Sequence, residues 1–501
     1  MLDTFNKATL EIIDKNRTWL YILFVLLISY IPLFYNLGGP VLMIWDESRN
    51  AVNAWEMSHG GNLLVPSFNG EPDLWNTKPP LLQWTQILSM KVFGENEWAI
   101  RFPAAFAGLL TGLLILWFSH CFLNSYILGF IAVLILYTSN GYINAHSVRT
   151  GDFDALLVLF SSAGAFSFFL AIEEEERKRK SRFILFFFLF IALAALTKSI
   201  AAFLLAPAYL LYLIYRRQLL KWIKNKHFWI GAFLMIILVF GYYFIRNLIN
   251  PGYIEAVIGN EITGRYLDTQ ELNTAPFPYY FRLLYQLRFQ NWYYLIPLGL
   301  AMGYLSKDKK LKRIITYLIL LTITYLLVIS VSETKLAWYD LPVYPFLAIL
   351  AAVFFTVLLR IIQRTDFFQR KFYRTIIPLL ILLFFFAKPY FNVFKRNHAD
   401  SFPYQDYETH SINHLLRNTL EGKNSLDQNE TLLYEGEFQH FLFYVYRLQK
   451  EGYSIELKDD IRLEKGRNYI VYQDTVLERL SDTPGFQKEE LIKDVYSIEP
   501  N

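Results

Sequence analysis

Cysteine is almost absent from this chain of 501 residues, and charged residues are scarce. Cys121 is the single cysteine, so no disulfide can form within the chain. It lies beside His120, but no third potential ligand is near, and a metal site there is not expected. Charged residues make up 18% of the chain, against about 25% in soluble proteins. Hydrophobic residues make up 54%, which excludes an ordinary soluble protein of this size.

Two further absences narrow the class of protein. The formal net charge is only +4, and the basic residues lie in separate loops rather than along one face, so no nucleic-acid partner is expected. We find no internal repeat and no low-complexity tract. No small-residue cleavage site follows the first apolar run, which comes after Lys15 and Arg17. We therefore expect that run to be a retained signal-anchor helix.

The chain does contain many long apolar runs, and several could cross about 30 Å of hydrocarbon as helices. The clearest are residues 19–35, 100–118, 183–195, 229–244, 314–330 and 376–387. Basic clusters follow every second span, at residues 177–182, 216–226, 307–313 and 360–374. Placing all of them in the cytoplasm satisfies the positive-inside rule. This topology predicts about eleven spans with a cytoplasmic N-terminus.

The same topology brings four segments and the C-terminal tail to the outer face. The segments are residues 46–97, 142–153, 246–290 and 331–337. Their charged residues could be solvated loop charges without a special role. Asp154, however, adjoins the apolar run 155–160, and an acid at that position is costly to desolvate and usually functional. We therefore expect chemistry at the outer surface of the membrane.

Lys198 interrupts the apolar stretch 183–215. Either the stretch is two spans that meet at an outer turn, or a lysine is buried within one span. Both alternatives bring an ammonium group to the outer interface or below it. The simpler explanation is a lysine that snorkels to lipid phosphates.

The polar tail from residue 394 to 501 has a different pattern. Residues 430–436, 453–457 and 468–473 have strand character, and residues 438–452 predict an amphipathic helix. We therefore divide the chain into a transmembrane domain, 1–393, and a small α/β domain on the outer face, 394–501. No catalytic group of residues is apparent in the tail.

The outer loops contain an ordered set of short motifs. They are DE-x-R-x-A-x-x-A-x-EM from Asp46, LVP-x-x-NG from Leu64, KPPL-x-x-W from Lys78 and FG-x-x-E-x-A-x-R-x-P from Phe93. Further pieces are Arg149 with Asp154, LTK at residues 196–198, PF-x-YYF at 276–281, and TKL-x-x-Y-x-LP-x-x-P at 334–345. As a set, over residues 20–360, they resemble the GT-C superfamily of lipid-linked-sugar glycosyltransferases. The nearest subgroup is that of bacterial aminoarabinose transferases and protein O-mannosyltransferase-like enzymes.

The chain departs from that family at two places. Thr77 stands where such enzymes often have Glu before Lys-Pro-Pro, and Asn273 and Thr274 stand where many have His. These differences leave the acceptor open. No His, Cys and carboxylate cluster is apparent, so no metal or other cofactor is expected to be required.

The resemblance implies a polyprenyl-phosphate sugar donor and transfer with inversion at the outer face of a bacterial inner membrane. The acceptor could be a hydroxyl or a phosphate. An acceptor hydroxyl needs a base, and Asp46 is the candidate. Glu47 would diverge from it on an extended backbone, and Asp154 could orient the acceptor or share the role. The leaving phosphate calls for positioned cations. Those available outside are Lys78, Arg101, Arg149, Lys198, Arg246, Arg265 and Lys335.

Trp45, Trp338 and Tyr339 could stack on the sugar, although an interfacial aromatic belt explains them equally simply. The acceptor could be a lipid, a polysaccharide or a protein. One alternative function is a transporter or flippase of lipid-linked sugars, which would more typically show internal duplication and ionisable groups at mid-membrane. Another is a structural membrane protein, for which the ordered motifs would be coincidental.

Overall fold

The computed structural model describes residues 18–144, 146–267, 274–364, 371–399, 407–424, 426–460, 462–481 and 486–500. Helices dominate up to residue 399, and a mixed sheet follows. The helices of the first part are α1 (Thr18–Phe34), α2 (Asp46–Ser58), α3 (Leu81–Phe93), α4 (Glu97–Leu123), α5 (Tyr126–Tyr137), α6 (Asp154–Glu173), α7 (Arg177–Lys198), α8 (Ala206–Tyr215), α9 (Leu219–Ile223), α10 (Lys226–Ile249), α11 (Tyr253–Val257), α12 (Tyr279–Leu283), α13 (Leu295–Leu305), α14 (Lys309–Val331), α15 (Tyr344–Arg364) and α16 (Lys371–Asn397).

Seven of the described helical segments are long and apolar enough to cross a bilayer. They are α4, α6, α7 with its extension to Phe203, α10, α14, α15 with the turn before it, and α16. Four shorter apolar helices, α1, α5, α8 and α13, accompany them. The prediction of a polytopic helical membrane protein with a small C-terminal α/β domain is confirmed. The predicted number of about eleven spans stays a prediction, since seven of the described helices are long enough to cross a bilayer.

Helix α6 lies at the centre of the bundle because it is apolar on all sides. Phe166 stacks on Phe118 of α4 with ring centroids 4.1 Å apart, and Tyr317 of α14 donates a hydrogen bond to the Ala165 carbonyl at 2.8 Å. In contrast, α10 and α16 expose large apolar side chains such as Phe240 and Phe384. Surfaces of that kind are compatible with lipid contact. Asp154, at the first residue of α6, is therefore held on the best-buried helix of the bundle.

Lys198 is the last residue of α7, where the helix breaks. Ser199 follows with a φ of 45°, and a 3-10 turn over Ser199–Phe203 leads towards α8. Both alternatives predicted for this stretch are thus partly right, because the stretch is two helices and the lysine at their junction is buried. Snorkelling is wrong, since Lys198 Nζ contacts a carboxylate inside the protein.

The C-terminal part contains α17 (Tyr407–Leu420), α18 (Gln439–Lys450), α19 (Asp474–Ser481) and a five-stranded sheet. A separate hairpin of β1 (Ser67–Phe68) and β2 (Glu71–Pro72) lies between α2 and α3. The strands of the five-stranded sheet are β3 (Asn429–Leu433), β4 (Ser454–Lys458), β5 (Asn468–Val471), β6 (Phe486–Ile492) and β7 (Val495–Pro500). Their order is β4-β3-β5-β7-β6. β3 pairs in parallel with β4 and β5, whereas β7 runs antiparallel to β5 and β6.

Helix α18 packs this sheet domain against α2 and the start of α4. The Tyr444 hydroxyl donates to Glu97 at 2.8 Å and accepts from the Leu42 backbone N–H at 2.9 Å. The Tyr446 hydroxyl donates to Glu56 at 2.8 Å. The domain therefore packs against α2, the helix that contains the motif residues 46–57.

Candidate functional site

A cavity lies between the first residues of α6 and the last residues of α7 and α14. Its apolar wall consists of Leu157, Ile200, Ala201, Leu204 and Ile329. Its polar groups are Asp154, Lys198, Glu261, Tyr325, Ser332 and Tyr339. An apolar wall ending in buried charges suits an amphiphile that has an ionic head and a hydrocarbon tail.

Asp154 and Lys198, which both line the cavity, form an ion pair. Lys198 Nζ lies 2.6 Å from Asp154 Oδ1 and 2.7 Å from Oδ2, and both residues are buried. The Tyr339 ring centroid lies 5.5 Å from the same ammonium. A charge-assisted contact of this kind in a low-dielectric place holds both side chains in fixed positions. Each predicted site residue of this pair therefore faces the cavity in a defined orientation.

A second charged pair joins the loop containing Lys78 to the cavity. Lys78 Nζ lies 3.5 Å from Glu261 Oε1, and the Thr77 hydroxyl donates to the same oxygen at 3.2 Å. Lys78 also lies 5.4 Å from the Phe153 ring centroid. Thr77, which stands where the resembling enzymes often have Glu, therefore binds a carboxylate from another segment, Glu261, beside the lysine.

Arg246 binds the backbone of the loop that contains Lys78. Its guanidinium is fully buried, donates to the Asp73 carbonyl at 2.9 Å and the Lys78 carbonyl at 3.4 Å, and lies 3.8 Å from the Tyr253 ring centroid. Asp73 in turn binds Arg49 through two hydrogen bonds of 2.8 and 2.9 Å. Burial would raise the pKa of Asp73, but Arg49 holds that pKa below its usual value. Arg246 thus acts on the backbone of Lys78 rather than as a free cation.

Asp46 lies in a second group of residues next to the cavity. Its Oδ2 lies 3.8 Å from His146 Nδ1, and Asp152 Oδ2 lies 3.4 Å from the same nitrogen. Asp46 is partly exposed, with 36% of its side chain accessible, whereas Asp152 is buried. Burial raises the pKa of Asp152 to about 7 against the lowering effect of His146. Helix α2 begins at Asp46, so the extended backbone assumed for this segment is wrong.

Two short segments connect the Asp46 group to the cavity. Residues 152–154 place Asp152 beside His146, Phe153 beside Lys78 and Asp154 in the cavity. Residues 338–340 pass along the other side, where Trp338 stacks on the His146 ring at 3.7 Å and the next residue lines the cavity. The two charged groups are therefore neighbours in space.

Backbone strain coincides with this region. Trp45, His146 and Ser199 all have positive φ, at 72°, 58° and 45°, which is uncommon for residues other than glycine. Trp45 directly precedes Asp46, His146 is itself a member of the Asp46 group, and Ser199 directly follows Lys198. Strain of this kind persists where the surrounding structure fixes a functional geometry.

Glu47 has a different environment from Asp46. It is 1% exposed and binds Arg101 through two contacts of 2.7 and 2.8 Å. It also accepts hydrogen bonds from the backbone N–H groups of Gly151 and Met43, each at 2.8 Å. Arg101 further donates to the carbonyls of Leu37, Pro40 and Val41. All these groups belong to the protein, so we expect the pair to organise the site rather than to contact a substrate.

The other predicted cations divide into two sets. Lys335 donates to the carbonyl of Ser332, a residue that lines the cavity. Arg149 is buried and donates to carbonyls at the end of α1, including that of Tyr35 at 3.0 Å, and burial lowers its pKa to about 9. The Arg265 side chain lies outside the described part of the chain. The structure thus brings Lys78, Lys198 and Lys335 to the cavity region, but not Arg101, Arg149 or Arg246.

Among the predicted aromatic contacts, Tyr339 lines the cavity, Trp338 stacks on His146, and Trp45 is 43% exposed immediately before Asp46. Sequence reasoning did not include His146, Asp152 or Glu261 among the site residues. His146 and Asp152 lie in the segment already assigned to the outer face, but their spacing forms no local motif. Glu261 lies in a long segment between α10 and α12, and only the fold shows that it contacts Lys78.

The fold and the site define the class: a polytopic membrane protein with the GT-C fold. ArnT from Cupriavidus metallidurans bound to undecaprenyl phosphate superposes with a TM-score of 0.71 at 16% identity, covering 96% of this chain and 98% of that one. The oligosaccharyltransferase AglB from Archaeoglobus fulgidus, with an inhibitory peptide and a dolichol-phosphate, gives 0.58 at 11% identity, covering 86% and 64%. At these identities the likeness establishes the fold.

Sequence comparison identifies the relatives. Residues 77–243 match the family model of dolichyl-phosphate-mannose-protein mannosyltransferases. The undecaprenyl phosphate-alpha-4-amino-4-deoxy-L-arabinose arabinosyl transferase of Aeromonas salmonicida (strain A449) is 30% identical over 350 residues, 68% of this chain and 60% of that protein. A protein of Aquifex aeolicus (strain VF5) is 28% identical over 400 residues, 75% and 74%. The match thus spans three fifths of the arabinosyl transferase.

These similarities confirm the predicted resemblance to GT-C glycosyltransferases, and to the aminoarabinose transferases among them. None of the relatives and structures reported above is named as a transporter. With the membrane-spanning helices, they identify a multi-pass protein of the bacterial inner membrane.

A substitution at Glu47 tests whether the Glu47–Arg101 pair stabilises the fold. Glu47→Gln removes the carboxylate that binds the buried guanidinium of Arg101, and breaking such a pair costs about 3–5 kcal/mol. We expect a clearly lower midpoint of thermal unfolding, measured by intrinsic fluorescence on purified protein, while the exposed control Glu71→Gln stays close to wild type. A Glu47→Gln protein that melts like wild type but has lost turnover would instead support the predicted catalytic role.

Proposed function

We propose that the protein is an inverting glycosyltransferase. It moves a sugar from a polyprenyl-phosphate donor to an acceptor hydroxyl or phosphate at the outer face of the inner membrane. The observation that supports this most directly is the cavity, in which an apolar wall meets two buried charged pairs, Asp154–Lys198 and Lys78–Glu261. A polyprenyl phosphate has the same division into hydrocarbon and anion. The names of the relatives favour undecaprenyl phosphate as the lipid.

The donor phosphate binds at Lys78, with Lys198 and Lys335 nearby. Lys78 faces Glu261 in the structure described here, so a phosphate that binds the ammonium competes with that carboxylate. Lys198 is held on Asp154 and contributes a fixed positive charge close to the leaving oxygen. Positioned cations stabilise the charge that develops on the phosphate as the glycosidic bond breaks.

Asp46 is the general base. The acceptor oxygen attacks the anomeric carbon, the bond from that carbon to the phosphate oxygen breaks, polyprenyl phosphate leaves, and the acceptor proton passes to the Asp46 carboxylate. Its partial exposure gives an acceptor access, which the buried Glu47 and Asp154 do not offer. Asp154 instead orients Lys198. Trp45, Trp338 and Tyr339 surround this region and are suited to contact the sugar.

The orientation follows from the basic loops. We infer a cytoplasmic N-terminus and an outer C-terminal domain from about residue 394, which α18 docks on the loop that contains Asp46. Alkaline phosphatase fused after residue 450 should be active, and the same enzyme fused after residue 180 inactive, with green fluorescent protein fusions giving the opposite pattern. Activity at both positions would reject this topology and the proposed compartment of the reaction.

Asp46→Asn tests the reaction. Loss of a general base lowers kcat by about 10²–10⁴, so release of polyprenyl phosphate from a labelled lipid-linked sugar should fall by at least about 100-fold, with donor binding retained. The control Glu71→Gln changes an exposed acid of the same loop and should keep full turnover. Near-normal turnover by Asp46→Asn would remove Asp46 from the role of base.

Lys78→Ala tests the donor site. A hydrogen bond to a charged group is worth about 1.5–3 kcal/mol, so polyprenyl phosphate should bind about 10- to 100-fold more weakly. Lys78→Arg should restore binding only in part, because a guanidinium fork does not replace a compact ammonium. Lys91→Ala, an exposed lysine on α3, is the matched control. Equal affinities in a titration of all four proteins would leave Lys78 without a donor role.

A further inference from the structure

Three potential metal ligands converge beside the cavity. They are a carboxylate oxygen of Asp46, the Nδ1 atom of His146 and a carboxylate oxygen of Asp152, and all three lie within 4.8 Å of one another. Asp46 begins α2, whereas His146 and Asp152 belong to the segment between α5 and α6. We propose that Asp46, His146 and Asp152 form a binding site for a divalent transition-metal cation.

The distances favour a cation over a hydrogen-bonded triad. His146 Nδ1 lies 3.8 Å from Asp46 and 3.4 Å from Asp152, beyond the usual 2.7–3.2 Å of an N–H to oxygen hydrogen bond. Ligands bound to one ion at about 2.0–2.2 Å lie about 3.0–3.5 Å apart. A small contraction of the observed group would therefore give coordination geometry.

Buried polar atoms without a hydrogen-bond partner also favour a bound cation. Asp152 is 3% exposed, its Oδ1 has no hydrogen-bond partner, and His146 Nδ1 has none either. A buried carboxylate without compensation is costly, and within the described residues its ion pairing is to His146. The Asp46 carboxylate lies on the other side of the same imidazole nitrogen, at 3.8 Å. A divalent cation would bind both carboxylates and the nitrogen between them.

Neighbouring groups fix the ligands in place. The Thr150 hydroxyl donates to Asp152 Oδ2 at 2.6 Å, and the Trp338 ring stacks on the His146 ring at 3.7 Å. Partners of this kind orient ligands and hold the geometry of a metal site. The positive φ of His146 likewise indicates that its position is imposed by the fold.

The ligand set indicates which ions fit. One imidazole and two carboxylates suit Zn²⁺ or Mn²⁺, whereas a site for soft ions would need thiolate or thioether ligands. Three protein ligands leave a coordination position open, and the Asp46 side chain is partly accessible. Because a carboxylate has two oxygens, an ion on Oδ2 is compatible with proton transfer at Oδ1.

Metal binding can be measured without any sugar donor. The full-length protein, purified in nanodiscs and stripped with EDTA, is titrated with Zn²⁺ or with Mn²⁺, and bound metal is quantified by mass spectrometry after desalting. We expect about one ion per chain, and at least about tenfold weaker binding in His146→Gln and in Asp152→Asn. His59→Gln is the control, because His59 forms a surface pair with Glu95 at 3.2 Å.

The elution volume in size-exclusion chromatography and the thermal unfolding midpoint, both measured without metal, establish that each variant is folded. The electron paramagnetic resonance spectrum of Mn²⁺ added to wild type provides a second measure of metal binding. Wild type that binds neither ion would overturn the proposal. So would binding that persists in both His146→Gln and Asp152→Asn but is lost in His59→Gln, which would mean an adventitious ion only. Because no donor is present, failure here leaves the proposed glycosyl transfer untouched.

Discussion

The outer site depends on one buried ion pair, Glu47 with Arg101. The guanidinium binds three backbone carbonyls of the segment before α2 as well as the carboxylate. Glu47 also accepts the backbone N–H of Gly151. Three parts of the chain that are far apart in sequence are thereby joined around one pair of charges. Because Glu47 is adjacent to Asp46 and Gly151 is adjacent to Asp152, the pair fixes the position of Asp46 relative to Asp152.

Arginine and lysine perform different tasks in this molecule. Arg101, Arg149 and Arg246 donate their several N–H groups to backbone carbonyls, and they hold loops and helix ends in place. Lys78 and Lys198 instead make ion pairs with single carboxylates at the cavity. The planar fork satisfies several acceptors at once, whereas the compact ammonium acts as a point charge that a phosphate can approach.

The C-terminal domain completes the outer architecture. Tyr444 and Tyr446 of α18 bind acids of the first loop, Glu97 and Glu56, and the Lys450 ammonium lies 2.7 Å from Glu95. These contacts hold α2 and the start of α4 to the C-terminal domain. We infer that the domain supports the geometry of the site, because the residues that it contacts in α2 and at the start of α4 do not line the cavity.

The sequence by itself determined the membrane architecture, the small C-terminal α/β domain and the resemblance to GT-C glycosyltransferases. Apolar runs and ordered loop motifs are local properties, so they can be recognised without a structure. Tertiary structure alone decided that Glu47 pairs with Arg101, that Glu261 meets Lys78, and that His146 lies between Asp46 and Asp152. These partners are separated by 54, 183 and up to 100 residues in the sequence, and no periodicity or spacing encodes which loops meet. That choice is made by the packing of α6 and its neighbours, which brings the loop ends together.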